Sequence, residues 1–509
     1  MSRTNNSIRN VSVAAIGQVL IILVGFVARK IFVIYLDAEY LGVNGLFSSV
    51  LTVLSLAELG VGPAIVFSLY KPLAQNDISV CKSLMQIYKK AYLAIGTIVL
   101  TVGLSVTPFI TYLIESVPET ISNVHFIYIL FLGNTAMSYF FSYKRSLITA
   151  SQNQYIIDAV HMVMYLIMNV LQIAILAVTK NYFLFLGLQI LSTFTENLIL
   201  SKRANKMFPW ICEKETDKLP KEIRHEITRN IKAMVMHRVG GIVADATANL
   251  LISKFFGLLF LGLYSNYLLI FNAVKSFLLT FFNSIKASVG NFGAGESAEA
   301  AYSLYKKIEL VNFWMASFCC ICIYTLIEPF VEHIWLGKEF LLSGEVLLIL
   351  VINFFLDAMR NSLLTFKEAY GLAWRDRYKP LVGAVIHLSV SIALALQWGV
   401  IGVFLGTTVV HLFVNIAVEA YVVFRYCLKK SPVLFIKDFL FRLVLFALCG
   451  VSTILVCELI SSSIPILNIV IRLAVCLIVP NGILLLVYSS RDEFRTLKQL
   501  LLNMLHRKK

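Results

Sequence analysis

Charge is scarce in this sequence. Only 14% of its 509 residues are Asp, Glu, Lys or Arg, where a soluble domain carries about a quarter. Acidic residues are the scarcer sign, 29 against 44 Lys and Arg, and 59% of all residues are hydrophobic. That balance excludes a soluble globular fold. Other features are missing too. The apolar segments do not alternate over roughly 10 residues, which argues against a membrane barrel. None of the nine cysteines stands at a spacing with histidine that suits zinc, and no pair falls in an outer loop, so neither metal nor disulfide is expected. No ATP-binding motif is present, and no cofactor is expected. No small-residue cleavage site follows the first apolar block, so the polar, basic MSRTNNSIRN is read as leading into an uncleaved first helix.

What is present is a succession of apolar blocks, each about 20 to 25 residues long, the length that crosses a bilayer core as a helix. Breaks rich in charge or turn residues predict fourteen helices, at 11–35, 42–69, 88–113, 125–147, 156–178, 181–201, 233–257, 260–286, 308–328, 344–367, 379–396, 399–424, 436–459 and 466–489. The fold class is therefore all-α and integral to the membrane.

A net charge of +15 invites a nucleic-acid partner, but its distribution argues against one. With the N-terminus inside, the inward segments collect most of the Lys and Arg, and the outer loops hold only Lys180 and Lys338. This is the positive-inside pattern, with both termini cytoplasmic and anionic lipid as the partner it implies. The longest outer loop, near 328–343, is too short for a folded domain, so chemistry or transport falls to the spans themselves.

The chain also resembles itself. Leu41-Gly42 falls on Leu261-Gly262 at an offset of 220, and the FLG at 185–187 falls on the FLG at 404–406 at an offset of 219. Glu196 and Arg203 correspond loosely to Glu419 and Arg425. This predicts two pseudo-symmetric six-helix lobes plus two C-terminal helices. The expected segments are an N-lobe at 1–201, a linker at 202–232, a C-lobe at 233–425, the extra pair at 426–489 and a basic tail at 490–509. Each lobe has an even number of helices, so the repeat is parallel, as in transporters whose halves rock about a central site.

Polar residues within the spans share helical faces. Gln18, Gly25 and Arg29 align on helix 1, and adding 220 gives Arg238, Asp245 and Asn249 on helix 7. On helix 2, Asn44, Ser48, Thr52, Ser55 and Glu58 form one stripe; adding 220 to Thr52 and Ser55 gives Asn272 and Lys275 on helix 8. On helix 10, Asn353, Asp357 and Arg360 step by four and three, and Asp357 can pair with Arg360. Intramembrane ionisable groups usually face protein or a water-filled path. The reading preferred is a central cavity lined by Arg29, Lys30, Lys275, Arg360, Asn44, Asn249 and Asn272, with Glu58, Asp245 and Asp357 as coupling or charge-balancing acids. Snorkelling of Arg29 and Lys30 to the outer interface stays open. Glu58 is either a coupling carboxylate or the partner of a base. His161, His387 and His411 are read as hydrogen-bonded packing residues. Lys144, Arg145 and Lys367 are read as inner flanks.

A cationic lining suits an anionic cargo, and hydroxyl and amide stripes suit a sugar. The N-terminal stretch, with Arg29 after Gly25-Phe26, the LGVNGLF of 41–47 and the AELGVG of 57–62, resembles the bacterial polysaccharide-biosynthesis flippases. These are oligosaccharide repeat-unit translocases of the multidrug/oligosaccharidyl-lipid/polysaccharide exporter superfamily. GLAWRDRYKP at 371–380 occupies their usual inner loop after helix 10. The resemblance implies a MATE-like, V-shaped pair of lobes in the bacterial cytoplasmic membrane. By alternating access these would move a polyprenyl-diphosphate-linked glycan outward, with an ion or proton gradient as the energy source and other polysaccharide-assembly proteins as partners. In the related lipid II flippases, arginines of the first helix line the cavity; the matching position is Arg29, and Lys30 departs from that pattern. The rivals are a multidrug or organic-anion antiporter on the same fold, a membrane glycosyltransferase or polymerase, and a non-transporting scaffold.

Overall fold

In the computed structural model, residues 3–58, 61–213 and 221–506 are described. The helices in chain order are α1 (Arg3–Leu54), α2 (Val61–Ala74), α3 (Ile78–Val106), α4 (Val124–Ala150), α5 (Gln154–Thr179), α6 (Tyr182–Met207) and α7 (Lys221–Gly295). They continue with α8 (Ala298–Phe330), α9 (Gly344–Ala369), α10 (Lys379–Val409), α11 (Ala417–Val422), α12 (Pro432–Leu459), α13 (Pro465–Tyr488) and α14 (Asp492–His506). No strand occurs among the described residues. Among the described residues, ten helical stretches are long and apolar enough to cross a membrane, and the bent α4 makes an eleventh. Three of the ten contain a backbone break, at Asp37, at Gly257 and at Trp398-Gly399, so each amounts to two segments. This accounts for the fourteen helices of a multi-pass membrane protein.

The internal repeat is written in the backbone more clearly than in the side chains. Asp37 (φ 64°, ψ 169°) and Gly257 (φ 78°, ψ 174°) break α1 and α7 in the same conformation, 220 positions apart. At the start of α3, the Asp77 side chain accepts from the Val80 amide; 220 positions later the Ser297 side chain accepts from the Ala300 amide at the start of α8. The left-handed residues Gln152 and Lys180 fall 219 positions before Gly371 and Gly399. The two halves share the positions that dictate chain direction while differing there in residue type.

These caps also explain where the apolar pattern misplaces boundaries. α3 and α8 begin about one polar, capped stretch before their expected starts at 88 and 308. A cap fixes a first turn regardless of hydropathy. Asp77→Ala is therefore expected to cost about 1 kcal/mol, read as a lowered melting temperature of the purified protein, with Asp77→Ser nearly neutral. The expected second helix, 42–69, is interrupted. α1 tightens into a 3-10 turn at Ser55–Glu58, and the chain resumes as α2.

The helices gather into two compact units, Met1–Ser265 and Asn266–Lys509. In the first, α1 packs on α5, and α4 packs on α3 and α6. The stretch of α7 up to Ser265 joins this unit through a reciprocal close approach. A Cβ at Gly42 would lie 2.0 Å from the Leu258 carbonyl oxygen, and one at Gly262 would lie 1.9 Å from that of Ala38. Positions 42 and 38 are the repeat equivalents of 262 and 258, so the two bends clasp each other symmetrically through small residues. In the second unit, α8 packs on α9 and α13, and α12 on α13.

Candidate functional site

In the first unit, Arg29 sits two turns before the Asp37 break. Its guanidinium donates to the Ser265 hydroxyl at 3.1 Å, and that hydroxyl donates to the Gly262 carbonyl at 2.8 Å. One turn earlier, Gly25 leaves room for the Tyr165 hydroxyl, which would stand 3.3 Å from a Cβ there. Gly25 and Arg29 thus work together, the glycine admitting the tyrosine that flanks the cation. Lys30 is exposed. Asn44 accepts from the Tyr182 hydroxyl at 2.6 Å, and Asn249 donates to the Ser49 hydroxyl at 2.9 Å. The side chain of Asp245 lies outside the described residues, as does that of Arg238.

The hydroxyls of the helix 2 stripe turn back on their own backbone: Thr52 donates to the Ser48 carbonyl at 2.7 Å and Ser55 to that of Thr52 at 2.6 Å. Such back-bonding satisfies a hydroxyl locally. Glu58 accepts from the Tyr92 hydroxyl at 3.0 Å, and the Tyr92 ring stacks on Tyr139. His161, on α5, contacts Glu196 of α6 at 3.1 Å, and Arg145 of α4 reaches the other oxygen of that carboxylate at 3.1 Å. Arg145 is thus more than a flank, since it neutralises an acid within the helix bundle.

The second unit holds a longer chain of charges. Lys275 reaches Asp357 at 2.7 Å, and the other oxygen of Asp357 accepts from Arg360 at 2.7 Å, the pairing foreseen on helix 10. Arg360 then forks onto Glu419, donating from Nε to one carboxylate oxygen at 3.0 Å and from Nη2 to the other at 2.9 Å. A planar guanidinium fits a carboxylate in this bidentate way. Lys379 also bonds Glu419, approaches Asp376 at 3.5 Å, and shares it with Lys367 at 2.8 Å. Lys367, read from sequence as a flank, is buried. Exposure falls along this chain, from 48% at the Lys275 side chain through 14% at Arg360 to 0% at Glu419. Asn272 lies exposed one turn before Lys275. Glu419 itself occupies the six-residue α11 between two π-helical stretches, Val410–Ile416 and Val423–Cys427. Such widened turns are frequent at functional sites. His411 lies on the first of them, 3.5 Å from Asn415.

A separate buried pair was not foreseen. Glu309 of α8 accepts from Arg442 of α12 at 2.9 Å and from the Ser362 hydroxyl of α9. Trp314 donates to Asn481 of α13 at 2.7 Å. Together these bonds fasten the last two spans to α8. The signal available in the sequence was the isolated acid in an apolar span.

No protein-family model matches the sequence, and no curated protein matches it. Solved structures do resemble the fold. A multidrug-resistance MATE transporter of the MOP superfamily, in an inward-facing conformation, superposes with TM-score 0.64 at 15% identity, covering 81% of this chain and 96% of its own. The lipid II flippase MurJ, in an inward closed conformation, gives TM-score 0.65 at 13% identity, covering 95% of this chain and 99% of its own. A mutant of the MATE transporter VcmN of Vibrio cholerae gives 0.58 at 12%, covering 84% and 99%. The chain therefore has the all-helical membrane fold shared by the MATE transporters of the MOP superfamily and the lipid II flippase MurJ.

Proposed function

We propose that this protein flips a lipid-diphosphate-linked oligosaccharide from the inner to the outer leaflet of the bacterial cytoplasmic membrane, for surface polysaccharide assembly. The observation that carries this reading is the charge chain of the second unit. Four cations, Lys275, Arg360, Lys379 and Lys367, meet three acids, Asp357, Glu419 and Asp376. Among these seven residues cations outnumber acids by one, and the most exposed side chain of the chain is that of Lys275. A diphosphate approaching Lys275 competes with Asp357 for it. Charge-assisted bonds to phosphate are strong, and Lys serves as a point charge and Arg as a fork. Release of Asp357 would then report cargo binding inward to Arg360 and Glu419, a route by which occupancy biases a two-state bundle. The lipid tail stays in the bilayer while the headgroup crosses, and the asparagines of the polar faces suit sugar hydroxyls.

The fold is compatible with both a flippase and a drug antiporter, and MurJ matches more of this chain than the MATE structures do. The MATE structures leave 16–19% of the chain unmatched, whereas MurJ accounts for 95% of it. An organic-anion antiporter is the second reading, since it would use the same cations. Lys275→Ala is the test. In cells producing matched protein levels, surface polymer is expected to fall about tenfold, with lipid-linked precursor accumulating on the inner leaflet, while the fold stays stable, because exposed pairs contribute little. Normal polymer in both Lys275→Ala and Arg360→Lys would overturn the reading. Polymer intact but anionic-dye efflux lost would establish the antiporter instead.

A further inference from the structure

The first unit contains a cavity of about 600 Å³ that the transport reading does not use. It lies where the start of α3, the end of α4 and the turn after α6 meet. By the distribution of charge, this is the inward-facing end of the unit. Small-molecule sites typically occupy about 300–1,000 Å³.

Its walls are built. On α3, Lys82, Gln86, Lys89 and Leu93 step by four, three and four and so share one face, with Lys90 beside them. Tyr143 and Lys144 come from α4, and Lys144 donates to the Ser201 hydroxyl of α6 at 2.8 Å. The third wall is the 3-10 turn Pro209–Cys212, which presents Trp210 and is closed by the Ile211 amide bonding the Phe208 carbonyl at 3.0 Å. Glu213, just after it, pairs with Lys82 and ties the turn to α3. Four lysines thus face one carboxylate. The positive-inside rule places cations in inner loops, but it does not require a concave pocket with aromatic walls.

We propose that this cavity binds a phosphate-bearing anion. Several flexible ammonium groups converging from two helices suit a polyanionic phosphate, which Lys binds as a point charge. Trp210 and Tyr143 give the remainder of such a molecule an apolar wall with polar edges. A volume of about 600 Å³ suits a small phosphorylated molecule or headgroup better than a nucleic-acid strand. Two sources share this chemistry, the headgroup of an anionic phospholipid and a water-soluble phosphate or diphosphate.

Cys212 supplies the probe, because it lines the cavity and is exposed. The full-length protein is reacted with a bulky maleimide, and the Cys212 peptide is followed by mass spectrometry. Inorganic pyrophosphate in neutral detergent is one arm; nanodiscs of phosphatidylcholine with or without phosphatidylglycerol are the other. Labelling is expected to slow in at least one arm, and not in sodium chloride of matched ionic strength. The triple substitution K89Q/K90Q/K144Q is expected to raise the protecting concentration by about tenfold or more, and K89R/K90R/K144R to preserve protection. Protection by pyrophosphate alone identifies a soluble ligand; protection by phosphatidylglycerol alone identifies a lipid headgroup. Equal labelling in every condition, or protection that survives removal of the three charges, would overturn the assignment. The wild-type comparison stands even if the glutamine variant fails to fold. Because nothing here reads transport, this outcome is independent of the flippase reading.

Discussion

Gly42→Ala is expected to destabilise the first unit by about 3 kcal/mol or more, an unusually large effect for one methyl group. The added Cβ would sit 2.0 Å from the Leu258 carbonyl oxygen and 2.7 Å from its carbon. Both are backbone atoms, so no rotamer change relieves the overlap; α1 and α7 must separate. Doing so would strain the neighbouring ties, the Arg29–Ser265 and Asn249–Ser49 bonds. Gly45→Ala, one turn further, is the control. There a Cβ would meet only the Leu261 side chain, at 3.4 Å, and the change is expected to be neutral or to gain up to about 1 kcal/mol of helix propensity. Thermal aggregation of the two variants in detergent, followed by size exclusion, reads the difference. Equal melting of both would mean that the clasp does not hold the unit together. By reciprocity, Gly262→Ala should match Gly42→Ala.

Glu419→Ala should destabilise the second unit by about 3–5 kcal/mol. The loss is not the value of the ion pair itself. Truncation leaves the fork of Arg360 and the ammonium of Lys379 facing a fully buried gap where their shared counter-charge had been. A buried cation without compensation is expensive in a medium of low dielectric constant. The double variant Glu419→Gln/Arg360→Met should recover part of the loss, because it removes the guanidinium left without a counter-charge and leaves an amide oxygen for the Lys379 ammonium. Lys275→Ala should melt close to wild type, since its side chain is about half exposed. Stability and transport are therefore expected to separate along one chain of residues: the buried end governs folding, the accessible end governs cargo. If Glu419→Ala melts like wild type, the network is not a structural unit.

The two predictions draw on parts of the molecule that were unequally visible in the sequence. The fold was largely legible, because apolar length and positive-inside charge are properties of a segment by itself. The repeat was legible only through LG, FLG and a loose match of Glu196 and Arg203 with Glu419 and Arg425. The structure shows why so little sufficed: Gly42 and Gly262 are fixed by backbone contact, whereas Asp37 and Gly257 keep a bend without keeping a residue type. Helix starts at Asp77 and Ser297 were missed because capping depends on one side-chain oxygen, not on hydropathy.

The candidate site was legible only along single helices. Periodicity placed Asp357 and Arg360 on one face of helix 10, and they are paired there. It could not say that Lys275 also reaches Asp357, or that Glu419 receives the fork of Arg360. Those contacts join different helices, and the order of helices around a bundle is not encoded in the spacing within any one of them. Lys367 and Lys379 were hidden for another reason. A lysine near an inner helix end is the commonest feature of a membrane protein, and nothing local distinguishes one that bends inward to Asp376.

The bond between Glu309 and Arg442 makes the final two spans more than an appendage. A chain cut after residue 431 would keep a fully buried carboxylate on α8 and remove the guanidinium that neutralises it. Synthesis must therefore pass through a stage in which eleven or twelve helices have emerged while that acid still awaits its counter-charge. Until α12 arrives, that acid needs a proton, water or a neighbouring base such as Lys306, whose own partner Glu493 is made later still. Arrival of α12 is, in that sense, the step that lets the α8 carboxylate be buried as an ion pair.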